Sequence, residues 1–229
     1  MRAELDNFVY ILSNSSKINW EIPIRHIIPS DYECTVPGDA CLSGGGAYCD
    51  EFQFWYYIPW PEEIKQRTLK GKRKHSELIS INCLEFIIII ISYNAVLDAI
   101  ELLGYVANVP HPKSLILADN KSADSWTRKL ASSSVIGKRL CRILCGMLMN
   151  QVLGLDSGYI RGDDNTCADA ISRLVKDNLT HLTTLFQNFP NLSTYRRYHP
   201  APELISVLFN ALLNNSPEVP TQLRFKGHF

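Results

Sequence analysis

Apolar residues first recur at helical spacing over residues 3–13, AELDNFVYILS, which predicts a short helix. Residues 19–32 mix polarities and contain prolines, as a linker would. From Val36 the pattern changes to short apolar runs broken by turn residues. Val36 to Leu42 predicts a strand, Ser43-Gly44-Gly45-Gly46 a tight turn, and Ala47-Tyr48-Cys49 a second strand. Phe52 to Ile58 is aromatic and β-branched and predicts a third strand, ended by Pro59 and Pro61. Three short strands in succession suggest an antiparallel meander. Residues 62–80 are polar and predict a connecting loop.

Residues 81–103 pull in two directions. Ile87 to Ile91 favour a strand by propensity, yet the run exceeds the length of ordinary strands without meeting a breaker. Asn82 can cap a helix start and Gly104 can end one, and Leu97, Ile100 and Leu103 stand at helical spacing. One long buried helix is the prediction. The stretch FIIIII inside it is too short to span a bilayer, and Glu85, Asn94 and Asp98 punctuate the run. Leu115 to Ala118 predicts a buried strand ending at Asp119-Asn120. Helices follow over 121–131 and 136–150, then a fifth strand over 153–160 and a helix over 165–174. The order βββαβααβα argues an α/β domain with a mixed sheet. Beyond 176 the chain turns polar and proline-punctuated, with one clear helix at 201–214 whose Pro202 suits a first turn. The expected division is 1–32, an N-terminal helix and linker; 33–176, the α/β domain; and 177–229, a C-terminal helical linker segment.

The 229 residues suit one ordinary domain with extensions, and an apolar share of 46% suffices for a core. Basic and acidic residues balance at 23 each, so no global charge grips nucleic acid. Local basic patches remain: Lys65, Arg67, Lys70, Lys72, Arg73 and Lys74 in one, and Lys138, Arg139 and Arg142 in another. Seven cysteines are spaced irregularly, with no C-x-x-C pair and no histidine pair at zinc spacing, so structural zinc is not expected. Cys141 and Cys145 fall on one face of their helix. Unpaired thiols fit a reducing compartment, and MRAELDNFVYIL lacks a basic-then-apolar leader. An intracellular protein, cytoplasmic or nuclear and away from membranes, is expected.

Four acids hold suggestive places. Asp39 lies in the first strand, Glu85 early in the long helix, Asp119 at the end of the fourth strand and Asp169 early in the helix over 165–174. Each has an ordinary explanation: Asp39 as a turn residue beside Gly38, Asp119-Asn120 as a cap, Asp169 as a surface charge. Glu85 is hardest to explain that way, because it adjoins the most apolar run in the chain. Bare carboxylates about 4 Å apart repel by roughly 4 kcal/mol at an effective dielectric near 20. A divalent cation reverses that sign, and magnesium prefers hard oxygen ligands. Two such ions can clamp the attacking and leaving oxygens of a phosphoryl displacement.

The segments GDACLSGGGAY, INCLEF, LILADNKSADSW and DDNTCADAISRL resemble, in order, the four catalytic blocks of the ribonuclease H domain of reverse transcriptases. The likeness is nearest to DIRS-like, tyrosine-recombinase retrotransposons and covers about residues 36–175. It implies a ribonuclease H-like fold, with a five-stranded mixed sheet in the order 3-2-1-4-5 flanked by helices. It also implies two Mg2+ ions, or Mn2+, held by Asp39, Glu85, Asp119 and Asp169. In that scheme Asp39 bridges both ions, Glu85 and Asp119 serve the ion nearer the leaving group, and Asp169 holds the ion that activates water. The implied reaction is endonucleolytic cleavage of the RNA strand of an RNA–DNA hybrid, recognised by backbone and 2′-hydroxyl contacts. Asn120 and Asn165 are expected at the substrate or beside the acids, and Lys72, Arg73, Lys74, Lys138 and Arg139 at phosphates. Trp126 has a counterpart in the family.

Pro202-Glu203-Leu204-Ile205 is similar to the segment that follows such domains, and the N-terminal helix to the end of a polymerase connection. With no polymerase or recombinase site in the chain, reverse transcriptase and recombinase parts of one polyprotein are the expected partners. Two departures stand out. The histidine that many members carry before the last block is missing, and Asp163 occupies its place; Cys41 stands where small polar residues are usual. A catalytically decayed hybrid-binding scaffold is the alternative. An integrase or resolvase is disfavoured by the Asn-x-x-Ala-Asp-x-x-Ser-Arg block.

Overall fold

In the computed structural model, the described residues are Val9 and 31–69, 78–106, 112–149, 151–175, 178–213 and 224–229. The helix expected over 3–13 lies outside them apart from Val9, as do Lys70, Lys72, Arg73 and Lys74. A meander opens the fold: β1 (Tyr32–Ala40), β2 (Gly44–Cys49) and β3 (Phe54–Pro59), each antiparallel to the next. Helices α1 (Glu62–Leu69) and α2 (Ile81–Leu103) follow, then β4 (Lys113–Ala118), parallel to β1. After α3 (Lys121–Lys129) and α4 (Val135–Leu148) comes β5 (Gly154–Tyr159), parallel to β4. The chain closes with α5 (Thr166–Ser172), α6 (Leu179–Asn188), β6 (Arg196–Arg197) and α7 (Pro202–Leu213).

The sheet has six strands in the order β5-β4-β1-β2-β3-β6, which corrects the expected count of five and the order that went with it. The five expected strands keep their neighbours. The sixth is a two-residue edge strand, Arg196–Arg197, parallel to β3. So short a segment carries no periodicity to read.

Helices cover both faces, and β3 shows it by alternation. Phe54, Tyr56 and Ile58 enter the main core with α2, α4 and α7, while Trp55 and Tyr57 enter a second cluster with Ile171, Leu174, Leu185 and Leu192. Helix α2 is the spine of the main core and is buried continuously from Cys83 to Ala99. A helix enclosed on all sides has no polar stripe, which is why its period was hard to read. It is the one helix among the described residues long and apolar enough to cross a bilayer, and 78% of its most apolar window is buried inside the protein.

Several expected boundaries move. Strand β1 starts at Tyr32, because its pairing with β4 extends down to Lys113. Gly44, Gly45 and Gly46 are not a turn; they lie inside β2, and the turn is Cys41–Ser43, closed by the Cys41 amide on the Gly44 carbonyl at 2.9 Å. Phe52 and Gln53 belong to a turn in which Gln53 takes a φ of 50°. Residues 62–69 form a helix where a loop was expected, with Glu62 and Glu63 in its first turn, a Glu63–Arg67 ion pair at 2.8 Å and Ile64 buried. The cap of α2 is Ser80 rather than Asn82, while Gly104 ends that helix in the left-handed conformation at φ 57°.

Nor is the stretch after 176 a linker in its packing. Leu204, Leu208, Ala211, Leu212 and Phe225 belong to the main core, and Leu185 and Leu192 to the second cluster. Arg67 and Arg139 donate to the Leu213 and Ala211 carbonyls, at 2.9 and 3.4 Å, satisfying the C-terminal end of α7.

Candidate metal centre

Register builds the site. Strands β1 and β4 run parallel with Gly38 opposite Ala118, so Asp39 and Asp119, the next residue on each, emerge side by side. The first turns of α2 lie over the same strand ends and bring Glu85. Ligand oxygens of Asp39, Glu85 and Asp119 all lie within 4.8 Å of one another. Asp39 and Glu85 are buried, and Asp119 is partly buried.

The glycines of β2 make this approach possible. A Cβ at Gly45 would stand 2.5 Å from Ile88 Cδ1 of α2, and one at Gly46 would overlap Ile171 of α5 and the Tyr56 carbonyl oxygen. Gly46 pairs with Asp39 across the ladder. Both helices therefore close on the sheet at the level of Asp39.

Neighbouring groups hold the β1 end on both sides of Asp39. The Ala40 amide donates to Glu85 Oε1 at 3.2 Å, and Asn165 Nδ2 donates to the Gly38 carbonyl at 2.9 Å. Glu85 Oε2 and Asn165 Oδ1 are buried without a hydrogen-bond partner. Each such atom costs about 1–3 kcal/mol, which marks a site that keeps polarity for a purpose. All three carboxyls are pushed up from their ordinary pKa values. Burial is the main cause for each, followed by Asp39 and Asp119 at Glu85, and by Asp169 at Asp119. At Asp39 a nearby Ser172 hydroxyl opposes the burial effect, and Asp119 and Asp169 add to it. The assembly is short of positive charge.

Asp169 is not in the close group. Its carboxylate is gripped by Arg173, one turn later at the C-terminal cap of α5, with Nε at 2.9 Å from both oxygens and the terminal nitrogen Nη2 at 2.6 Å from Oδ1. The pairing raises the Arg173 pKa, the hydrogen bond and the Asp169 charge being the leading causes. Asp169 still acts on Asp39 and Asp119 through its charge.

The other expected residues divide. Asn165 stands against the Gly38 carbonyl beside Asp39, as given above. Asn120 caps α3: its Oδ1 accepts from the Ser122 and Ala123 amides at 3.0 Å each, and its Nδ2 donates to Asn82 Oδ1 at 2.9 Å. That bond ties the chain after β4 to the start of α2, and so Asp119 to Glu85. Trp126 packs edge-on against Phe86, with centroids 5.8 Å apart. Asp163 is exposed on the turn Gly162–Asp164, 3.5 Å from Arg161. A Cβ at Gly162 would lie 3.4 Å from Asp119 Oδ2, so this turn borders the acids. Lys138 and Arg139 lie on α4, Arg139 turned to α7 as above. Lys72, Arg73 and Lys74 lie outside the described residues.

Sequence reasoning gave Arg173 no role and Asn82 only that of a helix cap. The four-residue spacing of Asp169 and Arg173 was a readable signal for the first; nothing in the sequence joined Asn82 to Asn120.

Oxygen donors alone, three of them anionic, fit a hard divalent cation such as Mg2+ or Mn2+ better than zinc or copper. Comparisons of the chain with known protein families, with curated proteins and with solved structures found no match.

Proposed function

We propose that this chain is a metal-dependent endonuclease of ribonuclease H type, which hydrolyses the RNA strand of RNA–DNA hybrids as part of a retroelement polyprotein. The observation that carries the reading is the meeting of Asp39, Glu85 and Asp119, from three distant stretches, with ligand atoms within 4.8 Å and one buried glutamate oxygen unpartnered. The order of the four sequence blocks supports it.

Asp39, Glu85 and Asp119 would hold Mg2+ or Mn2+, with Asp169 as a further ligand. A cation bound there supplies positive charge to the oxygens of the phosphoryl group and acidifies a water. The residues themselves do the positioning. Asn165 pins the end of β1 through Gly38, and Asn120 with Asn82 pins the end of β4. Lys121, two residues past Asp119 and 5.0 Å from the centre of the Tyr159 ring, and exposed Arg161, next to Gly162, suit the sugar–phosphate backbone of a hybrid.

The test is cleavage of an end-labelled RNA–DNA hybrid in Mg2+. Asp39→Asn should lower the rate by about 10²–10³-fold, the loss typical of one electrostatic stabiliser. Wild type no faster than Asp39→Asn sinks the proposal. The grip of Arg173 on Asp169 favours a second reading, a hybrid-holding module without catalysis. Such a module would bind hybrid yet show no Mg2+-dependent thermal shift.

A further inference from the structure

Asp169 on α5 and Arg173 at its C-terminal cap face each other one turn apart, and that helix is seated against β1 and β2. Three N–H···O contacts between 2.6 and 2.9 Å join them. A fork of this kind neutralises the carboxylate and engages both of its oxygens, which makes it a poor metal ligand while the pair is closed. The guanidinium also acts electrostatically on Asp39. Meanwhile the other three acids are already gathered, with the Glu85 oxygen unpartnered among them. The site thus holds one set of ligands ready for a cation, and a fourth ligand engaged by an internal cation.

We propose that Arg173 is a built-in counter-ion that stands in for a second metal. With the Asp169–Arg173 pair closed the site takes one divalent ion, at Asp39, Glu85 and Asp119, and a second enters only as the pair opens. The inference rests on the metal-site reading above and specifies its stoichiometry. Both partners are substantially exposed, with side-chain accessibilities of 65% for Arg173 and 42% for Asp169, so opening the pair disturbs no core.

Mn2+ binding to the whole chain, without nucleic acid, tests this by calorimetry and by the paramagnetic resonance of free Mn2+. Wild type should bind one Mn2+ per chain well and a second weakly. Arg173→Gln should tighten the second ion about tenfold, equivalent to 1.4 kcal/mol, and leave the first within about a factor of two. Arg173→Lys, which keeps the charge but loses the fork, should fall between the two. Adding Asp169→Asn to Arg173→Gln should abolish the second ion and spare the first. If the first ion binds, is lost in Asp39→Asn, and yet the second is unaffected by Arg173→Gln, the counter-ion role is overturned and the metal site stands. If wild type binds no Mn2+, or Asp39→Asn changes nothing, both ideas fall.

Discussion

Glu85 concentrates the chemistry of the site in one side chain. It is 3% exposed, receives one hydrogen bond and faces two like charges. Its raised pKa has a definite sign in stability. A carboxyl whose folded pKa exceeds its unfolded value binds protons more readily when folded. Its contribution is therefore complete below the unfolded pKa and is lost as pH rises through the folded one. In a chelator, the protein should lose stability as pH climbs from the ordinary glutamate value of 4.5 toward neutrality. Glu85→Gln should flatten that slope, and Mg2+ should reverse it in wild type by pairing with the charged forms; thermal melts across pH would show both. Asn120 tests a different dependence. Asn120→Ala removes the α3 cap, worth about 1 kcal/mol, and the link to Asn82. Because it also frees the chain beside Asp119, Mn2+ affinity should fall about 10-fold or more. A variant with an altered melt but unchanged affinity would refute the positioning role.

Among the elements, β2 departs furthest from its sequence pattern. Three glycines in a row read as a turn because glycine is the commonest turn residue. Here they serve close packing, since helices press on the strand from both faces. Gly46→Ala must push Ile171 or the Tyr56 carbonyl aside. Overpacking of this kind costs about 1–3 kcal/mol, and the shift should also disturb Asp39, directly opposite. A Gly46→Ala protein with wild-type melting temperature and Mn2+ affinity would show that the close approach is incidental. Other elements were plain in advance. The positions of α2, α3, α4, β5 and α5 agree within two residues with those expected from periodicity and breakers. Helix α1 was missed because Ile64 is the one buried residue among those whose burial is described in it, which leaves little amphipathic signal.

At the scale of the molecule, the C-terminal stretch is joined to the spine by a buried polar network. Asp98 on α2 accepts from Asn94 at 3.0 Å, Tyr198 at 2.6 Å, Arg224 at 2.5 Å and the Gly227 amide at 2.9 Å. Four donors meet one carboxylate, so removing it strands several polar groups in the interior. Asp98→Ala should cost about 3–5 kcal/mol, read as a drop in the denaturation midpoint. Deleting residues 224–229 should cost a comparable amount, because Phe225 and Phe229 leave the core with Arg224. If the shortened chain melts like the full one, the last residues are dispensable and the tail is the appendage its composition suggested.

Local pattern by itself determined the succession of most elements, the burial of the isoleucine run and the four acids worth watching. Hydrophobic period and chain breakers act within a few residues, so one dimension carries them. Only the tertiary structure decided that Asp39, Glu85 and Asp119 meet while Asp169 turns to Arg173, that glycines serve packing instead of turning, and that the tail completes the sheet and core. Those outcomes depend on strand register and on contacts between residues as far apart as 98 and 224, where the favourable partner is set by which surfaces the fold brings together.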